Sequence, residues 1–185
     1  MMKLKLITPA SEMPVTLDEA KAFYRVIGNE EDADVLRSIN AATEKAEQIT
    51  NLQICTATYE GYMDAFPVSV VLPKPPLVSV QKVEYIDADG LTQPFTDYDL
   101  DDIANPAVIY FDSRPSDVKT DGVNNVIVTF EAGYSDVPDA IQSWVLIYGL
   151  TLFENRENIV VGASFSAEGK QYYDHLLDSF RIVPL

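Results

Sequence analysis

The first periodic run of hydrophobic residues predicts an amphipathic helix that starts at Thr16. The hydrophobic residues between Leu17 and Tyr24 recur at helical spacing and therefore share one face. Thr16 and Glu19 have the spacing of a capping box, in which each side chain accepts a hydrogen bond from the other residue's backbone amide. Because a glycine favours the end of a helix, Gly28 is predicted to end this one.

A longer run with the same spacing follows the acidic stretch Glu30–Asp32. From Val35 to Ile49, hydrophobic residues recur every three or four positions in a segment rich in Ala, Glu and Lys, which favour helices. This pattern predicts a second helix that reaches about Thr50 and forms a hairpin with the first.

The pattern changes after Asn51 to one that is typical of strands. From Ala57 to Phe130 the chain is rich in Val, Tyr, Thr and Phe and is interrupted by Pro, Gly and Asp. Asp87–Gly90 has the composition of a hairpin turn, in which Gly90 supplies the positive φ. The predicted strands lie near residues 56–66, 68–72, 78–87, 91–95, 98–100, 107–111 and 125–131.

Helical spacing then returns. Pro138 suits the first turn of a helix, and hydrophobic residues from Ile141 to Leu152 share a face. A last helix is predicted from about Ala167, and Pro184 stops it. The order of helices, strands and helices predicts an α+β fold rather than alternating α/β.

The length of 185 residues fits a single domain, 1–185. Within it we distinguish an N-terminal helical hairpin at 1–53, a β-rich region at 54–135 and C-terminal helices at 136–185.

The balance of charge argues against a nucleic-acid-binding domain. Thirteen Lys and Arg residues face 29 Asp and Glu residues, which gives a net charge of −16. Such a surface repels phosphate backbones, and the acidic residues are dispersed along the chain, as on a solvated surface. A protein of this kind can lie near DNA without binding it. No apolar run approaches the roughly 18 residues of a membrane helix.

Residues with catalytic chemistry are scarce in this sequence. His175 is the only histidine and Cys55 the only cysteine, which excludes a metal site built from histidines and an internal disulfide. No glycine-rich phosphate-binding motif is present. We therefore predict no catalytic residue, no cofactor and no metal ion, and the lone cysteine fits a reducing compartment.

One acidic cluster leaves an alternative open. Strand alternation would place Asp97, Asp99 and Asp101 on one face, where they could bind an oxygen-ligand cation in a hydrolase or ligand-binding domain. The same residues could instead form a solvated edge that discourages strand pairing. The turn Asp87–Gly90 lacks the further ligands of a calcium loop.

Several short blocks occur in order and together span about residues 15–180. They are Leu17–Lys21, Glu31–Leu36, Ala41–Glu47, Leu72–Val80, Val83–Gly90, Phe130–Tyr134, Val137–Pro138 and Leu152–Glu157. This succession resembles the head–tail connector (adaptor) proteins of long-tailed bacteriophages and prophages. Each block has an ordinary structural explanation, so the order and spacing of the blocks carry the resemblance.

The resemblance implies a helical bundle, formed by the N- and C-terminal helices, with a β-rich insertion in the middle. It implies a structural virion protein rather than an enzyme, made in the bacterial host cytoplasm and placed at the head–tail junction. Subunits of this family form a ring, usually dodecameric, that docks under the portal protein and extends the DNA channel. The ring joins the filled head to a stopper or tail-completion protein. A stopper or tail-completion subunit is the alternative, although those are typically β-dominated.

The resemblance also implies that the C-terminal segment, about residues 169–185, docks onto the portal. Aromatic residues on the helix faces are candidates for ring contacts, or alternatively for the core. The predicted interaction residues are Tyr24, Trp144, Tyr148, Tyr172, Phe180, Ile182, Val183 and Leu185.

Overall fold

A computed structural model describes residues 2–155, 173 and 175–182. The chain divides into two compact units, which we call the β unit (Met1–Ser11 and Cys55–Ser135) and the helical unit (Glu12–Ile54 and Asp136–Leu185). The presence of both helices and sheets confirms the α+β class. The organisation as one domain stays a prediction.

The β unit contains two antiparallel sheets. The five-stranded sheet has the order β1-β2-β8-β4-β5, and the three-stranded sheet has the order β3-β7-β6. The strands are β1 (Lys3–Thr8), β2 (Ala57–Met63), β3 (Ser69–Val71), β4 (Leu77–Ile86), β5 (Thr92–Phe95), β6 (Tyr98–Asp101), β7 (Val108–Phe111) and β8 (Val126–Ala132). All strands from β2 onward lie at the positions that the sequence predicts.

The two sheets share one apolar core. On β8, alternate residues from Val126 to Ala132 are buried and face this core. The ring of Phe66 lies 4.8 Å from that of Phe95 in one sheet and 5.2 Å from that of Phe111 in the other, centroid to centroid. Aromatic packing therefore joins the sheets, as the large buried area of such rings favours.

Strand β1 was not predicted from the sequence. It pairs antiparallel with β2, with Lys3 opposite Tyr62 and Leu6 opposite Tyr59. All six residues of β1 are exposed. The strand therefore lacks the long hydrophobic run that marks a buried strand in a sequence. The short alternation Lys-Leu-Lys-Leu is the signal that could have identified it.

Among the described residues, the helical unit contains α1 (Leu17–Tyr24), α2 (Asp32–Thr50), α3 (Asp139–Glu154) and a 3-10 helix (His175–Phe180). The three α-helices pack against one another, and the 3-10 helix packs on α2 and α3. Their core is formed by the faces that the sequence pattern identifies, with Val35, Ile39 and Ala42 on α2 and Ile141, Trp144 and Val145 on α3 among the buried residues. The N-terminal part of the predicted last helix lies outside the described residues.

The capping box at Thr16 is confirmed, but Gly28 does not end the first helix. Thr16 Oγ1 accepts a hydrogen bond from the Glu19 amide, and the Glu19 carboxylate accepts one from the Thr16 amide at 2.8 Å. The helix ends at Tyr24, because Arg25 adopts a left-handed conformation with φ 61° and donates its amide to Lys21. A residue that takes this conformation closes a helix as a glycine does.

Gly133 ends β8 where the backbone passes close to a neighbouring segment. Its φ is +133°, and a Cβ atom on it would lie 2.6 Å from both the Cα and the N of Thr56. Only glycine fits this approach. Gly90, in the β4–β5 turn, also has a positive φ of +83°, but a Cβ atom on it would have no neighbouring atom within 4 Å.

We expect Gly133→Ala to lower the free energy of unfolding by on the order of 3 kcal/mol, because it adds backbone strain to a direct clash. The matched substitution Gly90→Ala should cost only about 1 kcal/mol, since it adds the left-handed strain alone. Urea denaturation of both variants measures the difference. Equal losses would show that the contact with Thr56 does not constrain the fold.

Candidate interaction surfaces

Trp144 and Tyr148 form an aromatic stack on α3. Their ring centroids are 4.8 Å apart with an interplanar angle of 17°. Tyr173 packs beside both rings, at 6.2 Å from Trp144 and 6.4 Å from Tyr148. Trp144 is fully buried and Tyr148 is half-buried. Trp144 therefore serves internal packing, and the partly accessible member of the stack is Tyr148.

Tyr24 also lies inside the helical unit. Its ring packs against Phe153 at a centroid distance of 5.5 Å, and its hydroxyl lies 3.5 Å from Ser38 Oγ. Burial raises the pKa of the Tyr24 phenol, which stays protonated. A Cβ atom on Gly149 would lie 2.3 Å from Tyr24 Oη, so the glycine makes room for the tyrosine. Roles of Tyr24 and Trp144 in ring contacts stay predictions.

The described part of the predicted docking segment packs on its own helical unit. Leu177 is fully buried, whereas Phe180 and Ile182 are half-buried. The Ile182 amide donates to the Thr50 carbonyl at 2.9 Å, and the Asn51 side-chain amide donates to the Ile182 carbonyl at 2.8 Å. The first bond satisfies the Thr50 carbonyl at the end of α2, where carbonyls lack helical partners, and the second ties Ile182 to the residue that follows the helix.

Of the other predicted interaction residues, Tyr172, Val183 and Leu185 lie outside the described residues. The structure thus places the five described members of the set in one helical unit: Tyr24, Trp144, Tyr148, Phe180 and Ile182.

The Asp87 carboxylate stabilises the hairpin turn between β4 and β5. Its oxygens accept hydrogen bonds from the Gln93 side chain at 2.8 Å and from the amides of Leu91 and Asp89 at 2.9 and 3.0 Å. The bond from Gln93, followed by the backbone bonds, lowers the pKa of Asp87. This carboxylate is therefore engaged in local structure.

The acidic cluster of the sequence lies on and beside β6, an edge strand of the three-stranded sheet. Asp101 accepts hydrogen bonds from the amides of Ile103 and Ala104 at 3.2 and 3.0 Å, and Asp97 bonds to Ser113. Asp99 lies opposite Tyr110, on the face away from the core. Across the residues that the structure describes, no group of three acidic, histidine or cysteine side chains could hold a metal ion.

The other notable edge is β1. Leu4 and Leu6 lie opposite Gly61 and Tyr59 on the core side of the sheet, yet remain 37% and 48% exposed. The apolar face of the sheet therefore extends to β1, where it is no longer fully buried. Sequence reasoning missed this surface because it missed the strand.

Comparison with solved structures identifies proteins of similar fold. The chain is similar to a chain from the neck of an empty gene transfer agent (GTA) particle computed with C6 symmetry, with a TM-score of 0.79 and 21% identity over 100% of this chain and 97% of that chain. It therefore shares the fold of a GTA neck chain. A chain from the virion of the native GTA particle matches with a TM-score of 0.78 and 21% sequence identity, over the same shares of the two chains.

A chain from the neck of the native GTA particle, computed with C12 symmetry, gives a TM-score of 0.71 and 20% identity, again over 100% and 97% of the two chains. No protein-family model matches this sequence, and no curated protein matches it significantly. Among the helices that the structure describes, none is both long and apolar enough to span a membrane.

The contact between Gly149 and Tyr24 yields a test of the helical core. We expect Gly149→Ala to lower the free energy of unfolding by about 1–3 kcal/mol, because the new methyl group displaces a packed ring. Adding Tyr24→Phe, which removes the clashing oxygen, should recover part of this loss. Urea denaturation of the two single variants and the double variant measures the coupling. Ser143→Ala on the exposed side of α3 is the control, and strictly additive losses would contradict the contact.

Proposed function

We propose that this chain is a structural neck protein of a phage-like particle and acts as its ring-forming head–tail connector (adaptor). The observation that carries the proposal is the match in fold to chains of the GTA neck over the whole of this chain. The order of sequence blocks that resembles head–tail connectors supports the same function independently. In this proposal the protein is not an enzyme.

The symmetry of the similar structures supports assembly into a ring. Their necks were computed with C6 and C12 symmetry, which is compatible with the dodecameric ring that the resemblance implies. In the proposed arrangement the ring docks under the portal protein, extends the DNA channel and contacts a stopper or tail-completion protein. A helical bundle with a β-rich insertion is the architecture that we propose for the subunit.

The charge of the chain suits a channel that DNA passes through. DNA-binding proteins gain affinity when Lys and Arg displace counterions from phosphates. With a net charge of −16, this chain gains little affinity for DNA from counterion release. DNA can therefore slide past the ring without specific binding.

The first test removes the gene from the phage, prophage or gene transfer agent that encodes this chain. We expect filled heads and finished tails to accumulate separately in the lysate, as seen by negative-stain electron microscopy. Purified protein should restore joined particles. Gly90→Ala is the matched control that should also restore them, whereas intact particles without any added protein would contradict the connector role.

The same particles distinguish an adaptor from a tail-completion subunit. An adaptor binds the head before the tail arrives, so mass spectrometry should find this chain on heads purified from a strain without tails. Finding it only on free tails would favour the alternative.

Portal docking through the segment near residues 169–185 predicts a further phenotype. Removing residues 183–185, which follow the anchored Ile182, should reduce binding of the protein to purified portal-bearing heads. Because the described contacts of Ile182 to Thr50 and Asn51 remain, thermal stability should be nearly unchanged. A truncated protein that still binds heads with the affinity of the full chain would place the portal contact elsewhere.

A further inference from the structure

The β unit has four sheet edges, and they differ in how well they are protected. Edge strands expose unpaired amides and carbonyls that can pair with another chain. β5 contains Pro94, which has no amide to donate, and β3 has only three residues. β1 and β6 contain no proline and remain open at the edges of their sheets.

These two open edges carry opposite charge. Residues 2–11 contain Lys3 and Lys5 and no acidic residue, whereas residues 96–102 contain four aspartates and no basic residue. In a chain of net charge −16, two copies repel each other in most orientations. A contact that brings β1 against β6 is one in which the charges attract.

The alternation of side chains matches on both faces. On β1, Leu4 and Leu6 lie on the core side of the sheet, so the lysines lie on the other side. On β6, Leu100 lies opposite the buried Ile109, and Asp99 lies on the outer face. Edge-to-edge pairing would therefore place leucine beside leucine on one face and lysine beside aspartate on the other.

Two of these charges have no ion pair in the part of the chain that the structure describes. Lys3 forms an ion pair with Asp64 at 3.1 Å, and the Asp101 carboxylate accepts a hydrogen bond from the Ile103 amide in the turn that follows β6. Lys5 and Asp99 have no such partner among the described residues, and Glu60, which lies opposite Lys5, accepts a hydrogen bond from Tyr62. Lys5 and Asp99 are therefore available to an adjacent copy.

We propose that copies of this chain bind head to tail, with β1 of one copy pairing edge to edge with β6 of the next. Each copy supplies one strand of each kind, so the contact is heterologous and repeats until a ring closes. Pairing of β1 with β1 would oppose lysines, and pairing of β6 with β6 would oppose aspartates, which disfavours both. This proposal rests on the ring proposed above and names its contact.

The decisive experiment uses the full chain with Cys55→Ala and one cysteine on each strand, Lys5→Cys and Asp99→Cys. A short bifunctional maleimide, which tolerates a small shift in register, should produce a ladder of trimers and larger species on denaturing gels. Lys45→Cys with Asp89→Cys, two exposed sites that belong to neither strand, is the matched control. The absence of a ladder, or an equal ladder from the control, would overturn the proposal.

The single cysteine variants identify the alternative contacts. A strong dimer from Lys5→Cys alone would indicate β1–β1 pairing, and one from Asp99→Cys alone would indicate β6–β6 pairing; either result overturns the head-to-tail contact. Mass photometry of the unmodified protein over the same concentrations separates the two proposals. Oligomers without a β1–β6 ladder would reject this contact and retain the ring, whereas monomers at all concentrations without a ladder would count against both.

Charge reversal provides a second measurement that keeps Cys55 in place. Lys5→Glu or Asp99→Lys should weaken association about tenfold, because an attractive pair becomes a repulsive one. The double variant should recover most of the loss, since the pair is restored with its signs exchanged. Equal weakening in Lys45→Glu and Asp89→Lys, or no recovery in the double variant, would contradict the pairing.

Discussion

The β unit depends on the pairing of β8 with strands from distant parts of the chain. β8 lies between β2 and β4, and β1 and β5 extend the sheet on either side. Val126, Val128 and Phe130 are fully buried, so β8 also supplies the centre of the core. Because a shift by one residue would turn these side chains away from the core, the buried face fixes the register of the strand. The turn at Gly133 then requires a residue without a side chain, where the backbone passes Thr56.

The helical unit is held by close packing at small residues. Ala42 and Ala46 on α2 are fully buried, and Gly149 on α3 accommodates Tyr24. Small residues allow helices to approach, and large aromatic rings such as Trp144 fill the remaining space. Tyr24 and Trp144 therefore pack inside the subunit, whereas Tyr148 and Phe180 remain partly accessible.

Assembly into a ring by an acidic subunit meets an electrostatic obstacle, because copies of like charge repel. In the proposed ring, a contact between a basic edge and an acidic edge would overcome this repulsion locally, while main-chain hydrogen bonds and leucine contacts would supply affinity. Exposed ion pairs contribute little stability by themselves, so the charges would act mainly to select β1–β6 pairing over pairing of like edges.

The sequence by itself determined the local elements of this protein. The capping box at Thr16, the extent of α2, the turn at Gly90 and the strands from β2 onward follow from short-range spacing and composition, which act on neighbouring residues. The end of α1 was predicted wrongly because Arg25 adopts the conformation expected of a glycine. Strand β1, the pairing around β8, the burial of Tyr24 and Trp144 and the need for glycine at 133 were decided by the tertiary structure. Each depends on contacts between residues far apart in the chain. Apart from the short Lys-Leu alternation of β1, such contacts leave no periodic signal within a single segment.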